Sequence, residues 1–201
     1  MKTKLLMLLV LLGSLWTSNL YAQTRYPKRE FRGAWIQCVN GQFQGMPTEK
    51  MKKVLVSQLD NLQKAGINAI IFQVRAEADA LYKSPYEPWS RFLTGVQGKA
   101  PSPMWDPLQF MIEECHKRNM ELHAWINPYR AKTKGTGALS PMHPYSKNPE
   151  LFVQYAGQLY FDPGLPESRK YICKIVRDIV TRYDVDAIHM DLSESGRGVS
   201  G

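Results

Sequence analysis

Apolar residues recur along the chain with two different periods, and the two alternate. In residues 48–64, Met51, Val54, Leu55, Leu59 and Leu62 lie on one helical face, with Thr48 as the expected N-cap and Gly66 as the stop. Residues from 107 onward repeat the pattern through Leu108, Met111, Ile112 and Cys115, opened by Asp106 as N-cap and Pro107 in the first turn. A third stripe, Tyr171, Ile172, Ile175, Val176 and Ile179, follows Pro166 and Glu167. Between these helices lie short apolar runs that end in polar groups: residues 31–39 (FRGAWIQCV), 68–75 (NAIIFQVR), 121–127 (ELHAWIN) and 186–191 (DAIHMD). Continuous apolar strands are buried on both faces, as in parallel sheets covered by helices. Strand and helix alternate without a hairpin signal, which predicts parallel β/α units.

The loops narrow the architecture. Helix-to-strand connections are short, at residues 65–67, 119–120 and 184–185. Strand-to-helix connections are long, at residues 76–105 and 128–165. Long loops confined to one end are usually functional, and in a β/α barrel that end carries the active site. A doubly wound sheet is the other candidate. It is disfavoured because Cys38-Val39-Asn40-Gly41-Gln42 is a poor match to a dinucleotide-binding turn. The predicted fold is α/β, the N-terminal half of a (β/α)8 TIM barrel with four strands. A full barrel has eight strands and takes about 250 residues.

The ends of the chain read differently from its middle. Met1-Lys2-Thr3-Lys4 is basic, an apolar run of about a dozen residues follows, and Ser18-Asn19-Leu20-Tyr21-Ala22 resembles a cleavage segment. That run is too short to span a bilayer, so residues 1–22 are expected to be a signal peptide and the mature protein exported, periplasmic or extracellular. Residues 23–191 form the predicted domain. Residues 192–201, rich in Gly and Ser, have no period and are expected to be disordered or aberrant. The net charge of +8 comes from scattered Lys and Arg, which fits ordinary solubility or attraction to anionic wall polymers, and argues against nucleic acid as a partner. The three cysteines, Cys38, Cys115 and Cys173, lie in apolar segments and read as buried free thiols, with a Cys115–Cys173 bond as the alternative.

Candidate chemistry gathers at the strand ends. Asp191 closes an apolar strand, where desolvation can raise a carboxyl pKa enough for it to donate a proton; capping of the following turn is the other reading. Alternation puts His189 on the same face, as a substrate contact or a core histidine, and puts His123, Trp125 and Asn127 on one face of their own strand. Arg75 is either a ligand in the site or a structural partner of Asp79 or Glu77. Asn127, Tyr129 and Arg130 combine an amide, a flat ring and a guanidinium, parts that suit sugar hydroxyls and C–H faces; a plain proline turn is the alternative. Tyr82, Tyr86, Trp89, Phe92 and Trp105 in the second-strand loop are either packing or further contacts. His123, His189 and Asp191 could ligate zinc by type, but no HExxH or HxH spacing supports it, so no metal and no cofactor is expected.

Four elements together resemble the glycosyl hydrolase-like 10 family. They are Phe31-Arg32-Gly33-Ala34-Trp35; Phe72-Gln73-Val74-Arg75 with Ala78-Asp79-Ala80-Leu81-Tyr82; His123-Ala124-Trp125-Ile126-Asn127-Pro128-Tyr129-Arg130; and Ile188-His189-Met190-Asp191. Their order and spacing fit over roughly residues 29–191. The resemblance implies a TIM-barrel fold and glycan hydrolysis; some members resemble enzymes that cleave peptidoglycan strands lacking stem peptides. It implies Asp191 as the catalytic acid, or one of a pair, with Trp35, Arg75, Asp79, Asn127, Tyr129, Arg130 and His189 binding the sugar. The chain departs from the family after Asp191, where Leu192 stands in place of a second Asp. The expectation is therefore a glycoside hydrolase for a polymeric cell-wall glycan, inactive as this short chain. The alternative is an exported glycan-binding module that cleaves nothing.

Overall fold

A computed structural model describes residues 30–191; the expected signal peptide and the glycine-rich tail lie outside the described residues. Four parallel strands form the central sheet: β1 (Gly33–Ile36), β2 (Ala69–Arg75), β3 (Glu121–Ile126) and β7 (Ala187–Met190), in the order β1-β2-β3-β7. The crossovers carry α1 (Thr48–Lys64), α3 (Pro107–His116) and α5 (Pro166–Arg182). Sequence order equals spatial order, each strand following its helix, so the sheet is that of an incomplete (β/α)8 barrel. Residues up to Phe31 belong to a separate unit, of which Glu30 and Phe31 are described.

The helices form where the apolar stripes placed them. Met51, Leu55 and Leu59 of α1, Leu108, Met111, Ile112 and Cys115 of α3, and Ile175 and Ile179 of α5 enter one core with Ile36, Ile70, Phe72, Val74, Leu122, Ala124 and Ile126. Each such side chain contributes roughly 1.5–3 kcal/mol by leaving water. Asp106 caps α3 as expected, accepting from the Gln109 N–H at 3.2 Å. Thr48 does not cap α1. Pro47 occupies the cap position, and the Thr48 hydroxyl donates to the Pro103 carbonyl instead.

Two expectations change. The cysteines are all free, but only Cys38 and Cys115 are buried; Cys173 lies on the exposed side of α5, and no Cys115–Cys173 bond exists. The second long loop is also not structureless. After β4 (Arg130–Lys132) and a helical turn, α4 (Pro144–Lys147), it builds the hairpin β5 (Phe152–Tyr155) and β6 (Gln158–Phe161). These make a three-stranded antiparallel sheet in the order β4-β6-β5. Ala156 and Gly157 form the tip with φ of 49° and 76°, the two positive values of a type I′ turn. One face of this sheet buries Phe161 and Leu159, with Phe152 partly buried against them. In the first long loop, α2 (Arg91–Thr94) is a single turn capped by the Ser90 side chain.

Candidate functional site

Parallel register sets which side chains share the face turned away from the helices. Gln73, Trp125 and His189 form one row across β2, β3 and β7; Ile71 and His123 sit one step lower. Trp35 of β1 reaches across to meet His189 of β7 edge-on, with ring centroids 5.7 Å apart, and Trp125 meets the same imidazole at 6.4 Å. β1 and β7 are the two outer strands of the sheet, so this contact shows the face to be concave. His189 is half-buried between the two indoles, and Trp35 is 58% exposed. Asp191 is two residues beyond His189, on the same side by alternation and at the carboxyl end. Its backbone N–H donates to the Ile126 carbonyl at 3.2 Å, which ties this end of the chain to β3.

Above that row the strand ends are locked by buried polar groups. The Gln73 amide oxygen accepts from the Cys38 N–H at 3.0 Å, and its NH2 donates to Asn127 Oδ1 at 2.8 Å, so one side chain joins the ends of β1, β2 and β3. Arg75 is fully enclosed. Its partner is Glu87, not Asp79 or Glu77: Nε and one terminal nitrogen donate to the two Glu87 oxygens at 2.8 and 2.7 Å. The other terminal nitrogen donates to the carbonyls of Asn127 and Pro128. Arg75 therefore holds the turn that presents Asn127, and its side chain is buried with its donors engaged by protein groups. Sequence spacing offered no route to Glu87, because any acid in a long aperiodic loop could have been the partner.

Asp79 is likewise enclosed. It accepts from the Glu77 N–H and from the Gln97 amide, and burial, reinforced by the Glu77 charge, pushes its carboxyl up to about 6. Burial opposes ionisation of Glu77 too, but Arg91, Thr133 and Thr136 all donate to it and bring its pKa below the ordinary value. Arg91 comes from the first long loop and the two threonines from the second, so Glu77 stitches both loops over β2. His143 completes the joint. Its Nδ1 accepts from the Tyr145 N–H, so the proton sits on Nε2, which donates to the carbonyls of Glu77 and Ala131. Glu87, Thr133, Thr136 and His143 carry no periodic signal and were not anticipated.

The remaining expected residues divide. Arg130 is 9% exposed, with Nε donating to the Ala76 carbonyl at the end of β2. Tyr129 is half-buried against the hairpin core. Of the loop aromatics, Tyr82 and Phe92 are buried, and Tyr86, Trp89 and Trp105 pack on the main core, so all five serve packing. His123 pairs with Glu121, one step below His189. Among the described residues no three His, Cys, Asp or Glu side chains are grouped to hold a metal. The structure thus brings Trp35, Trp125, His189 and Asp191 to one concave face, places Asn127 and Arg130 at the strand ends that rim it, and keeps Arg75 and Asp79 enclosed there as supports.

Residues 30–194 match the family described as Glycosyl hydrolase-like 10. The chain is 47% identical over 169 residues to glycosyl hydrolase YngK of Bacillus subtilis, covering 81% of this chain and 33% of that protein. It is 33% identical over 191 residues to glycosyl hydrolase DigH of Escherichia coli, covering 85% of this chain and 43% of that protein. It thus spans less than half the length of either relative. Among solved structures it resembles alpha-L-fucosidase isoenzyme 2 of Paenibacillus thiaminolyticus, with a TM-score of 0.56 at 15% identity over 82% of this chain and 24% of the other. It also resembles the maltogenic alpha-amylase AmyB of Thermotoga neapolitana, with a TM-score of 0.54 at 17% identity over 85% and 40%. At such identities the likeness is one of fold.

Proposed function

Because the chain belongs to the glycosyl hydrolase-like 10 family, we propose that it forms the sugar-binding half of a glycoside hydrolase site for a polymeric, cell-wall type of glycan. The observation that carries this reading is the concave row in which Trp35 and Trp125 flank His189, with Asp191 two residues further toward the carboxyl end. Indole faces suit the C–H surfaces of sugars, imidazole suits their hydroxyls, and the carboxyl end is where barrel enzymes do their chemistry. Asp191 is the general acid, or one member of the catalytic pair; Asn127 and Arg130 position the sugar from the rim. Export, inferred from residues 1–22, would bring the protein to such a polymer. Among the described residues no helix is long and apolar enough to cross a membrane.

The test is release of soluble fragments from peptide-free glycan strands by the chain joined to the second barrel half of a relative, with Asp191→Asn beside the parent form. Loss of a general acid costs about a hundredfold or more in rate, so an Asn variant as active as the parent removes Asp191 from that role. One observation favours a second reading, glycan binding without cleavage. Hydrolysis ordinarily uses two carboxyl groups that flank the bond, and the acids above β2, namely Glu77, Asp79 and Glu87, are all enclosed. Retention of glycan strands with no release, in parent and variant alike, selects that reading.

A further inference from the structure

Three side chains on the concave face have a hydrogen-bond polarity that the structure fixes. Gln73 and Trp125 stand opposite each other in the parallel register, and Asn127 follows Trp125 by two residues. The bond between Gln73 and Asn127 places all three side chains on this one face. The Gln73 amide can be set only one way. A backbone N–H cannot accept, so the atom that meets the Cys38 N–H at 3.0 Å and the Val39 N–H at 3.4 Å is the amide oxygen. Its nitrogen therefore meets Asn127, and the Asn127 atom that accepts at 2.8 Å is that amide's own oxygen. The Asn127 NH2 is left as the other end of the amide, and no described residue accepts from it. Trp125 repeats the condition in sharper form. Its indole N–H is enclosed and has no hydrogen-bond partner among the described residues. A buried donor without an acceptor is costly, and bulk alone would be served as well by Phe or Leu. Trp125 and Asn127 are 9% and 4% exposed, so neither belongs to an open surface of the sheet.

Resting on the glycoside hydrolase reading above, we infer that Trp125 determines specificity through its indole N–H, and that Gln73 is a positioning residue that turns the Asn127 NH2 toward the same ligand. Together they make a stretch of the face that only donates. It selects oxygens that accept and do not donate, the carbonyl oxygens of acylated amino groups on the sugar. A hydroxyl in that place carries a proton of its own, and neither an indole N–H nor an amide NH2 can take it. A carbonyl satisfies the donors without leaving another polar hydrogen stranded. Stacking on the indole face, by contrast, is blind to the group a sugar carries beside its ring.

The experiment measures binding of two probes, the tetramer of N-acetylglucosamine and cellotetraose, which has a hydroxyl in place of each acylamino group. Both are applied to the full chain, alone and joined to the second barrel half of a relative. The parent is expected to favour the acylated tetramer. Trp125→Phe keeps a ring and removes the N–H. It should lose about fivefold in affinity for the acylated tetramer, the scale of one hydrogen bond, and keep its affinity for cellotetraose. In Gln73→Glu the carboxylate accepts from both Cys38 and Asn127, so the Asn127 amide turns over and offers its oxygen. Asn127→Asp, with Gln73 in place, likewise puts an oxygen where the NH2 was. Both should lose the preference for the acylated tetramer, a change of ratio that damage to the fold, which lowers both affinities alike, does not give. A ratio unchanged in Trp125→Phe, whether the affinities hold or fall together, overturns the role of its N–H. A ratio unchanged in both amide variants overturns the role of Gln73. The second barrel half is the other source of an acceptor for Trp125; a joined Trp125→Phe form that unfolds at lower urea with its ratio unchanged overturns the inference in that way. A parent that binds both tetramers equally overturns the inference and leaves the hydrolase reading standing. One that binds neither, in either form, overturns that reading and the inference with it.

Discussion

At the scale of single residues, the chain hides most of its charge chemistry. Arg75 and Glu87 are a bidentate pair with no contact to solvent. Removing one partner of such a pair strands a buried charge and costs about 3–5 kcal/mol, whereas replacing both by apolar groups is often close to neutral. Glu87→Leu should therefore unfold at markedly lower urea than the parent, and Arg75→Met combined with Glu87→Leu should recover much of the loss. Asp79 gives a pH signature. Its folded pKa of about 6 lies above the ordinary carboxylate value, so the folded protein holds this proton more tightly than the unfolded chain. The stabilising contribution is complete below pH 4 and is lost as pH rises through 6, about 3 kcal/mol in all. Asp79→Asn should flatten the urea midpoint between pH 4 and 7; an unchanged profile would exclude Asp79 as its source. Polar types at strand ends were readable from the sequence, since a charge that closes an apolar run has to be explained. Their roles were not: whether Arg75 faces a ligand or Glu87 depends on where a long loop returns.

At the scale of elements, the strands and long helices were legible because each obeys a single period. The stripe Met51, Leu55, Leu59 and the run 69–75 admit few other readings. The hairpin was not legible, and its turn shows why. The tip is Ala156-Gly157 where Asn-Gly or Asp-Gly would have advertised it, and Ala holds a positive φ of 49° only because the flanking register demands it. Gly157 is the residue that makes the turn affordable. A Cβ there would meet Lys134 at an ordinary 3.5 Å, so the obstacle to substitution is backbone conformation and not a clash. Gly157→Val should cost about 1–2 kcal/mol of stability by urea denaturation. Because the hairpin is packed through Phe152 and Phe161, the loss should appear without any change in the pH profile assigned to Asp79.

At the scale of the whole molecule, the sheet is curved but not closed. Among the described residues β1 and β7 each pair on one side, and Trp35 and Met190 expose large apolar surface at those edges. Unpaired strand edges beside apolar surface favour association. The chain by itself should sediment as more than a monomer, and Trp35→Lys should shift it toward monomer; a monodisperse parent monomer would contradict this. The mouth of the barrel behaves differently from its open side. Its two long loops are joined through Glu77: Arg91, Thr133 and Thr136 donate to its buried carboxylate, and the His143 ring donates to its backbone carbonyl. Mobile ions cannot enter that joint, whereas a surface pair such as Lys52–Glu49 is screened within about 3 Å at molar salt. The entrance should thus keep its shape in brine. Amide exchange at Thr133 and Thr136 should remain slow at ionic strengths that erase the surface ion pairs, so whatever the cleft recognises, it can recognise in media as saline as the sea.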